Sequence, residues 1–457
     1  MVDNGAMSLH RRAVALLALV TLVGLAATAP ADAQSGDDPV RAQGLQWALD
    51  RIGADAAWER ATGEGITIAV VDSGVDLDHE DLADQIVEDV SCVGADGDPR
   101  RCQGSGQDDN GHGTHVAGIA AARTGNGKGV AGVAPDARIL AVRVLADSCG
   151  GGGCQPEGYA TDVAAGIRWA TANGADVINL SLGGGAIQSA LGCAFCDAIE
   201  EAWEEGVISV VAAGNDAILP AGFGSTPAVV VTATTRDDTR ASYSNRNDSI
   251  LRSARWPVAA PGGEQEADPT DCGTGGTPRG IVSTYLGDGP GGYACLAGTS
   301  MAAPHVSGAL ALLRSAGLDP QQSIDRLLAT ATDLGPTGRD STFGWGRIDL
   351  ARALDRLTAT SSGGPDAGTA APTTTVVGTS VPDSPTPTVA PGEVPTTVQP
   401  EVVVPEPQQA APLVPARDPA QDAAEAVPGW LVAVAMAAIA VTALGTGATA
   451  WLTLRDA

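Results

Sequence analysis

The chain has 457 residues, 54 acidic against 26 basic side chains, a formal charge of −28 and a hydrophobic content of 44 % with only 3 % aromatics. That length holds one large domain with appendages, or two or three domains, and the apolar share supports a core of Ala, Val, Leu and Ile. The negative charge repels nucleic acid and anionic surfaces, so no nucleic-acid partner is expected, and it serves solubility.

At the start, Arg11 and Arg12 precede an apolar run from Ala13 to Ala27, and small residues ending Ala31-Asp32-Ala33 follow. This is the layout of a secretory signal peptide over residues 1–33. Residues 34–62 read as a polar lead-in with one short amphipathic stretch, Ala54 to Arg60, and its first part, Ser35–Gly44, as lying across the surface at most. Ile66 to Val71 is an apolar, β-branched run of the kind that forms a buried parallel strand. It ends at Asp72-Ser73-Gly74, and an acid at the carboxyl end of a parallel strand stands where open α/β sheets hold ligands.

Asp108-Asp109-Asn110-Gly111-His112-Gly113-Thr114-His115 then leads into a small-residue helix, Val116 to Ala122. Strand and helix patterns alternate beyond it. Ile139–Val144, Val177–Leu180, Val207–Ala213 and Ala228–Ala233 read as strands; Thr161–Ala172, Ala198–Glu205 and Pro320–Ala331 read as helices. The alternation predicts an α/β fold with a central, mostly parallel sheet flanked by helices, closing near residue 356.

Gly298-Thr299-Ser300-Met301-Ala302-Ala303-Pro304-His305 sets one serine at the head of an apolar helix, Val306 to Leu313. First-turn N–H groups of a helix lack internal partners, so an oxygen there lies beside donors able to hold an anion. Pro304 removes a helical hydrogen bond, a local rule break of the kind found at functional sites. A capping serine before a core helix is the plain alternative.

The eight cysteines suit an exported protein. Neighbours along the sequence suggest four local bridges: Cys92 with Cys102, Cys149 with Cys154, Cys193 with Cys196, and Cys272 with Cys295. Cys193 and Cys196 form a single C-x-x-C, open to a structural bridge, a redox pair or half a zinc site. Residues 357–428 are rich in Pro, Thr, Ala, Val and Ser without periodicity, and read as an extended disordered linker. Residues 429–454 are apolar enough to span a bilayer, and Arg455 in the tail 455–457 places that end inside. The organisation expected is thus one folded α/β domain at 63–356, outside the cell, on a single-pass anchor.

Asp72, His112 and Ser300 supply an anion, a base and a hydroxyl, the set needed to cleave an amide. Composition alone leaves His115 open as the base and Asp76 or Asp78 as the acid. The segments Val71–Val75, Asn110–Gly118 and Gly298–Val306 resemble the three signature segments of the subtilisin-like serine peptidases (subtilases, family S8), complete and in order. The similarity covers roughly residues 46–356. It implies a subtilisin-like domain and a serine endopeptidase in which Asp72 orients the imidazole, His112 is general base then acid, and Ser300 is the nucleophile. His115 and His305 match structural positions. Ala212-Ala213-Gly214-Asn215 resembles the oxyanion segment, with Asn215 donating to the oxyanion and Ala212, Ala213 and Gly214 walling a small, uncharged first-site pocket. Ser181, Leu182 and Gly183 resemble the edge that pairs with extended substrate, opposite the loop Cys149–Cys154.

The resemblance implies no required cofactor. Asp81 matches a position that binds structural calcium in the family, although the loop Arg123–Gly129, where further ligands lie, carries Lys128 and differs in length. No space remains for a folded pro-segment between residues 33 and 46. Signal peptide, missing pro-segment, linker and membrane helix together resemble the mycosins, peptidases attached to a secretion system. The partners expected are an extended polypeptide, the membrane, and envelope or secretion-system proteins. A non-catalytic envelope scaffold is the alternative from another class.

Overall fold

The computed structural model describes residues 38–150, 153–182, 195–217, 223–248, 253–264, 272, 278–287 and 292–357, with backbone alone at 147–150 and 153–157. The chain divides into two units, Met1–Gly368 and Thr369–Ala457, and every described residue belongs to the first. The expected signal peptide, linker, membrane helix and tail lie outside the described residues, apart from Leu357. Among the described residues no helix is long and apolar enough to cross a membrane.

The strands are β1 (Thr67–Asp72), β2 (Ile86–Ser91), β3 (Arg138–Arg143), β4 (Ala146–Gly150), β5 (Gly153–Glu157), β6 (Val177–Leu180), β7 (Ile208–Ala212), β8 (Ala228–Thr234), β9 (Trp256–Pro261), β10 (Ile281–Thr284) and β11 (Tyr293–Leu296). Seven form one sheet in the order β2-β3-β1-β6-β7-β8-β9. All its pairings are parallel. The hairpins β4–β5 and β10–β11 are antiparallel.

Side chains alternate across each strand of this sheet. Ile68 and Val70 enter one core, while Ala69 and Val71 enter the other. Nearly every central-strand residue is therefore apolar, and each fully buried Val or Ile contributes roughly 1.5–3 kcal/mol. Helices α4 (His112–Ala121) and α7 (Thr299–Ser315) fill the first core, and α5 (Ala160–Ala172) with α6 (Cys196–Glu204) fills the second. Gly308 of α7 lies so close to α4 that a Cβ there would stand 3.0 Å from Ala120 O. Helix α8 (Pro320–Thr330) starts on a capping box of Asp319 and Gln322.

Some expectations are corrected. The first catalytic-domain helix begins at His112, not Val116, because Gly111 takes φ +100° and turns the chain straight into it. Strand β2 shows no apolar run because it lies at the sheet edge, where Val87 and Glu88 are exposed and only Val90 is buried. Strand β9 carries Pro257 and Pro261, which only an edge strand accommodates easily. The lead-in carries three short helices before β1: α1 (Pro39–Ala42), which buries no residue, then α2 (Trp47–Ile52) and α3 (Ala54–Trp58), which pack into the body. Trp47, Leu49, Ile52 and Ala57 belong to the first core. Trp47 Nε1 donates to Gly280 O at 3.0 Å and Trp58 Nε1 to Val133 O at 2.9 Å. The packed body thus begins well before residue 63.

Disulfides join Cys92 to Cys102 and Cys272 to Cys295, as expected. Cys149 and Cys154 face each other across β4–β5 in the backbone register. Cys196 is disulfide-bonded, which removes it as a zinc thiolate; Cys193 lies outside the described residues.

Candidate active site

Strand β1 is the centre of the sheet's topology. From it the chain runs outward on one side through β2 and β3, and on the other through β6 to β9. The carboxyl ends of β1 and β6 meet at this switch point, where open α/β sheets form their crevice. Asp72 closes β1, and Ser181 follows β6.

Asp72 is fully buried. Its Oδ1 accepts from His112 Nδ1 at 2.7 Å and from Ser73 N at 2.7 Å. A carboxylate can only accept, so Nδ1 carries the proton and Nε2 is left as the basic nitrogen. Glycine makes the approach feasible: a Cβ on Gly113 would stand 2.0 Å from Gly74 O. Gly113 N donates to Ser73 Oγ at 2.9 Å, tying the start of α4 to the end of β1.

Asp108 holds the other side of the same turn. Its carboxylate accepts from Asn110 N at 3.0 Å, Thr114 N at 3.0 Å and Thr114 Oγ1 at 2.6 Å. Burial alone would lower the His112 pKa, but the charge and hydrogen bond of Asp72, helped by the charge of Asp108, leave it above its ordinary 6.5. His115 is different. It is buried, bonds through Nε2 to Ile281 O at 3.0 Å and Ala294 O at 3.1 Å, and is pushed down to about 3 chiefly by desolvation. His305 bonds Met301 O at 2.8 Å and falls to about 4, again chiefly by desolvation. Of these three imidazoles only His112 has its pKa raised rather than lowered, and only it bonds a carboxylate.

Ser300 is the second residue of α7 and is 9 % exposed. Pro304 sits in the helix interior, four residues on, and lacks the N–H that would bond Ser300 O. Ser181 Oγ supplies the missing donor at 2.7 Å. In return Ser300 Oγ donates to Ser181 O at 3.0 Å. Asn179 Nδ2 donates to Ser181 Oγ at 2.9 Å, and Ser307 Oγ donates to Asn179 Oδ1 at 2.8 Å. Each hydroxyl has one proton, so the chain runs one way, Ser307 to Asn179 to Ser181 to Ser300. The proline break is thereby joined to the serine it follows. Sequence reasoning missed Asn179 and Ser307; the only signal was a polar residue in an otherwise apolar strand.

Asn215 follows β7 and is exposed. Its Oδ1 accepts from Thr299 N at 2.9 Å and Thr299 Oγ1 at 3.0 Å. Those bonds fix the amide so that Nδ2 remains the outward donor, 3.5 Å from where a Cβ on Gly298 would lie. Gly214 has φ +100°, and Asn245, another residue missed from sequence, clamps its flanks by donating to Ala213 O at 3.1 Å and accepting from Asp216 N at 2.9 Å. Ala212 and Ala213 are buried, in opposite cores, so they offer main chain rather than side chain to a pocket. Ser181 is buried, Leu182 half-buried, and Gly183 lies outside the described residues.

The Peptidase_S8 pattern, described as the Subtilase family, matches residues 63–346. The chain belongs to the subtilase family. Thermitase of Thermoactinomyces vulgaris is 38 % identical over 68 % of this chain and 95 % of its own length. Subtilisin Savinase of Lederbergia lenta is 37 % identical over 65 % of this chain and 94 % of its own. Among solved structures, a protease of Pseudoalteromonas arctica PAMC 21717 superposes with a TM-score of 0.56 at 30 % identity, covering 71 % of this chain and all of that one. This subtilase is a subtilisin-like serine endopeptidase.

Asp81 is buried and accepts from Asn126 Nδ2 at 2.7 Å and Val130 N at 2.8 Å. Burial pushes its pKa up to about 6, against those two hydrogen bonds and with nearby Asp38 adding to the rise. Asp38 is buried too, and accepts from Gly125 N at 2.9 Å and Asn126 N at 3.2 Å. Among the described residues no group of three or more His, Cys, Asp or Glu side chains could hold a metal.

Proposed function

We propose that Asp72, His112 and Ser300 are the catalytic set of this endopeptidase. The observation that carries the reading is the 2.7 Å bond between a fully buried Asp72 and His112 at the switch point, beside the Ser181 to which the Ser300 hydroxyl is bonded. The Ser300 hydroxyl turns from Ser181 O to His112 Nε2, gives up its proton, and Oγ attacks the peptide carbonyl. Asn215 Nδ2 and the Ser300 N–H hold the resulting oxyanion. His112 passes the proton to the leaving nitrogen as the C–N bond breaks, and a water resolves the acyl-enzyme by the same steps reversed. Asp72 keeps the imidazole in the required tautomer and stabilises its charged form.

Substrate enters as an extended strand along Ser181–Gly183, facing the β4–β5 hairpin. A small, apolar or broadly accepted side chain suits the pocket beside Ala212–Gly214. Full-length protein exposed to a serine-directed fluorophosphonate is expected to label at Ser300 and to lose casein hydrolysis in step. Folded protein that hydrolyses casein without labelling would overturn the assignment. A cellular phenotype that survives Ser300→Ala while hydrolysis vanishes would favour the scaffold reading.

The sequence pattern at 1–33 and 429–454 supports export and a single membrane anchor, with the catalytic unit outside. The names of the relatives above do not favour a dedicated secretion-system substrate. For calcium, Asp38 and Asp81 offer hard oxygen donors, and two buried carboxylates facing one loop would gain from a cation between them. Bound there, the ion would pin the N-terminal segment to that loop. Chelation should lower Tm, with recovery on calcium but not magnesium; an unchanged Tm would remove the ion from the account.

A further inference from the structure

A polar pocket of about 490 Å³ opens at the carboxyl ends of β8 and β9, lined by Thr235, Thr239, Arg240, Tyr243, Glu264 and Arg279. Its charge runs against that of the chain. Two guanidinia and one carboxylate line it, in a sequence with 54 acids and 26 bases. Glu264 pairs with Arg279. Arg240 donates through Nη1 to Ser244 O, a main-chain oxygen and not a carboxylate. The described lining therefore has one guanidinium more than it has carboxylates, with hydroxyl groups around it.

This pocket adjoins the catalytic serine. Tyr243 Oη donates to Gly262 O at 2.8 Å and Gly263 O at 2.7 Å. Gly298 N donates to Gly262 O at 3.0 Å, and Gly298 is the residue from which α7 starts, two before Ser300. The two walls touch: a Cβ on Gly262 would stand 2.7 Å from Gly298 O and 3.1 Å from Tyr243 Oη. The sheet order says which end of a substrate comes here. The β4–β5 hairpin follows β3 and the Ser181 edge follows β6, so the acyl part of a peptide lies over β3, β1 and β6. Beyond Ser300 the leaving part runs on towards β8 and β9. An extended chain advances about 3.3 Å per residue, so each leaving residue carries the substrate one such step further in that direction.

We propose that this pocket receives an acidic side chain from the leaving part of the substrate, and so gives the endopeptidase a preference for Asp or Glu shortly after the cleaved bond. The inference rests on Ser300 being the nucleophile. Arginine pairs well with carboxylate, and a half-open site keeps the attraction sensitive to salt.

The test uses full-length protein and internally quenched peptides with amidated ends, identical but for Glu or Gln at each of the first three leaving positions. At one position kcat/KM for Glu should exceed Gln by about 3- to 10-fold at low salt, and the ratio should shrink at ~0.5 M salt. Arg279→Glu should turn the preference to Lys, and Arg240→Gln should bring the Glu/Gln ratio towards one. A wild-type ratio of one at all three positions overturns the proposal, as does a ratio that neither substitution moves. A preference seen only when the peptide's end is a free carboxylate also overturns it, by assigning the pocket to the chain end. Binding of the same peptides to the Ser300→Ala protein, read by fluorescence anisotropy, separates the two readings. If no peptide is cleaved, the catalytic assignment fails, and the Glu/Gln binding ratio still decides the pocket.

Discussion

His112 sits between two carboxylates that do different things. Asp72 bonds it directly, while Asp108 fastens the turn that presents it and adds charge from further off. Because these acids hold the imidazole pKa above its ordinary value, the neutral base is lost below a pH higher than a free histidine would set. Asp108→Asn keeps an acceptor for Thr114 but removes the charge, so the acid limb of the kcat/KM profile should move to lower pH. A limb that stays in place would deny Asp108 any electrostatic part. Asn215→Leu should cut kcat by about 10²–10³ with little change in KM, a magnitude carried over from the comparable donor in subtilisin. At this scale the sequence singles out Asp72, His112, Ser300 and Asn215 as candidates because their residue types are tied to particular chemistry, and the structure shows the bond between Asp72 and His112. The sequence was opaque where a residue works through another. Nothing about Asn179, Ser307 or Asn245 announces that each grips a neighbour's backbone, amide or hydroxyl, since such bonds exist only after the elements have been packed side by side.

Helix α7 runs unbroken from Thr299 to Ser315 with a proline inside it. Pro304→Ala would restore an N–H opposite Ser300 O, in competition with Ser181 Oγ. We expect kcat to fall by roughly 10-fold, a cost of the order that small misplacement of a reacting group brings. Combined with Ser181→Ala the losses should be far from additive, because both changes act on one acceptor. Additive losses would show the two residues to be independent. Buried parallel strands and amphipathic helices were readable because their apolar runs are long and the two-sided sheet tolerates little else. Strands β2 and β9 were not, since edge positions accept the charges and prolines that normally argue against a strand.

The packed body extends to residue 38, twenty-five residues ahead of where the family pattern begins at 63. Polar residues interleave the apolar ones in that stretch, and its apolar residues are spread over three short helices, so no single period reveals its burial. Trp47 is 5 % exposed and bonds Gly280 O. Trp47→Ala should destabilise the protein by about 3–5 kcal/mol, read as a fall in Tm. A change within experimental error would mean the segment rests on the body without supporting it.

The hydroxyl of Ser300 is occupied before any substrate arrives, bound to the carbonyl of Ser181. That same oxygen lies on the edge along which an incoming peptide would bond, and the peptide brings an amide N–H suited to it. A guest that docks correctly would take the oxygen for itself and free the hydroxyl to face the imidazole, so that fit and reactivity arrive together. An idle enzyme would then be slow towards small electrophiles lacking an amide and quick towards peptidyl ones. Comparing inactivation rates for the two kinds of reagent at equal occupancy measures that gap, and equal rates would mean the serine stands ready at all times.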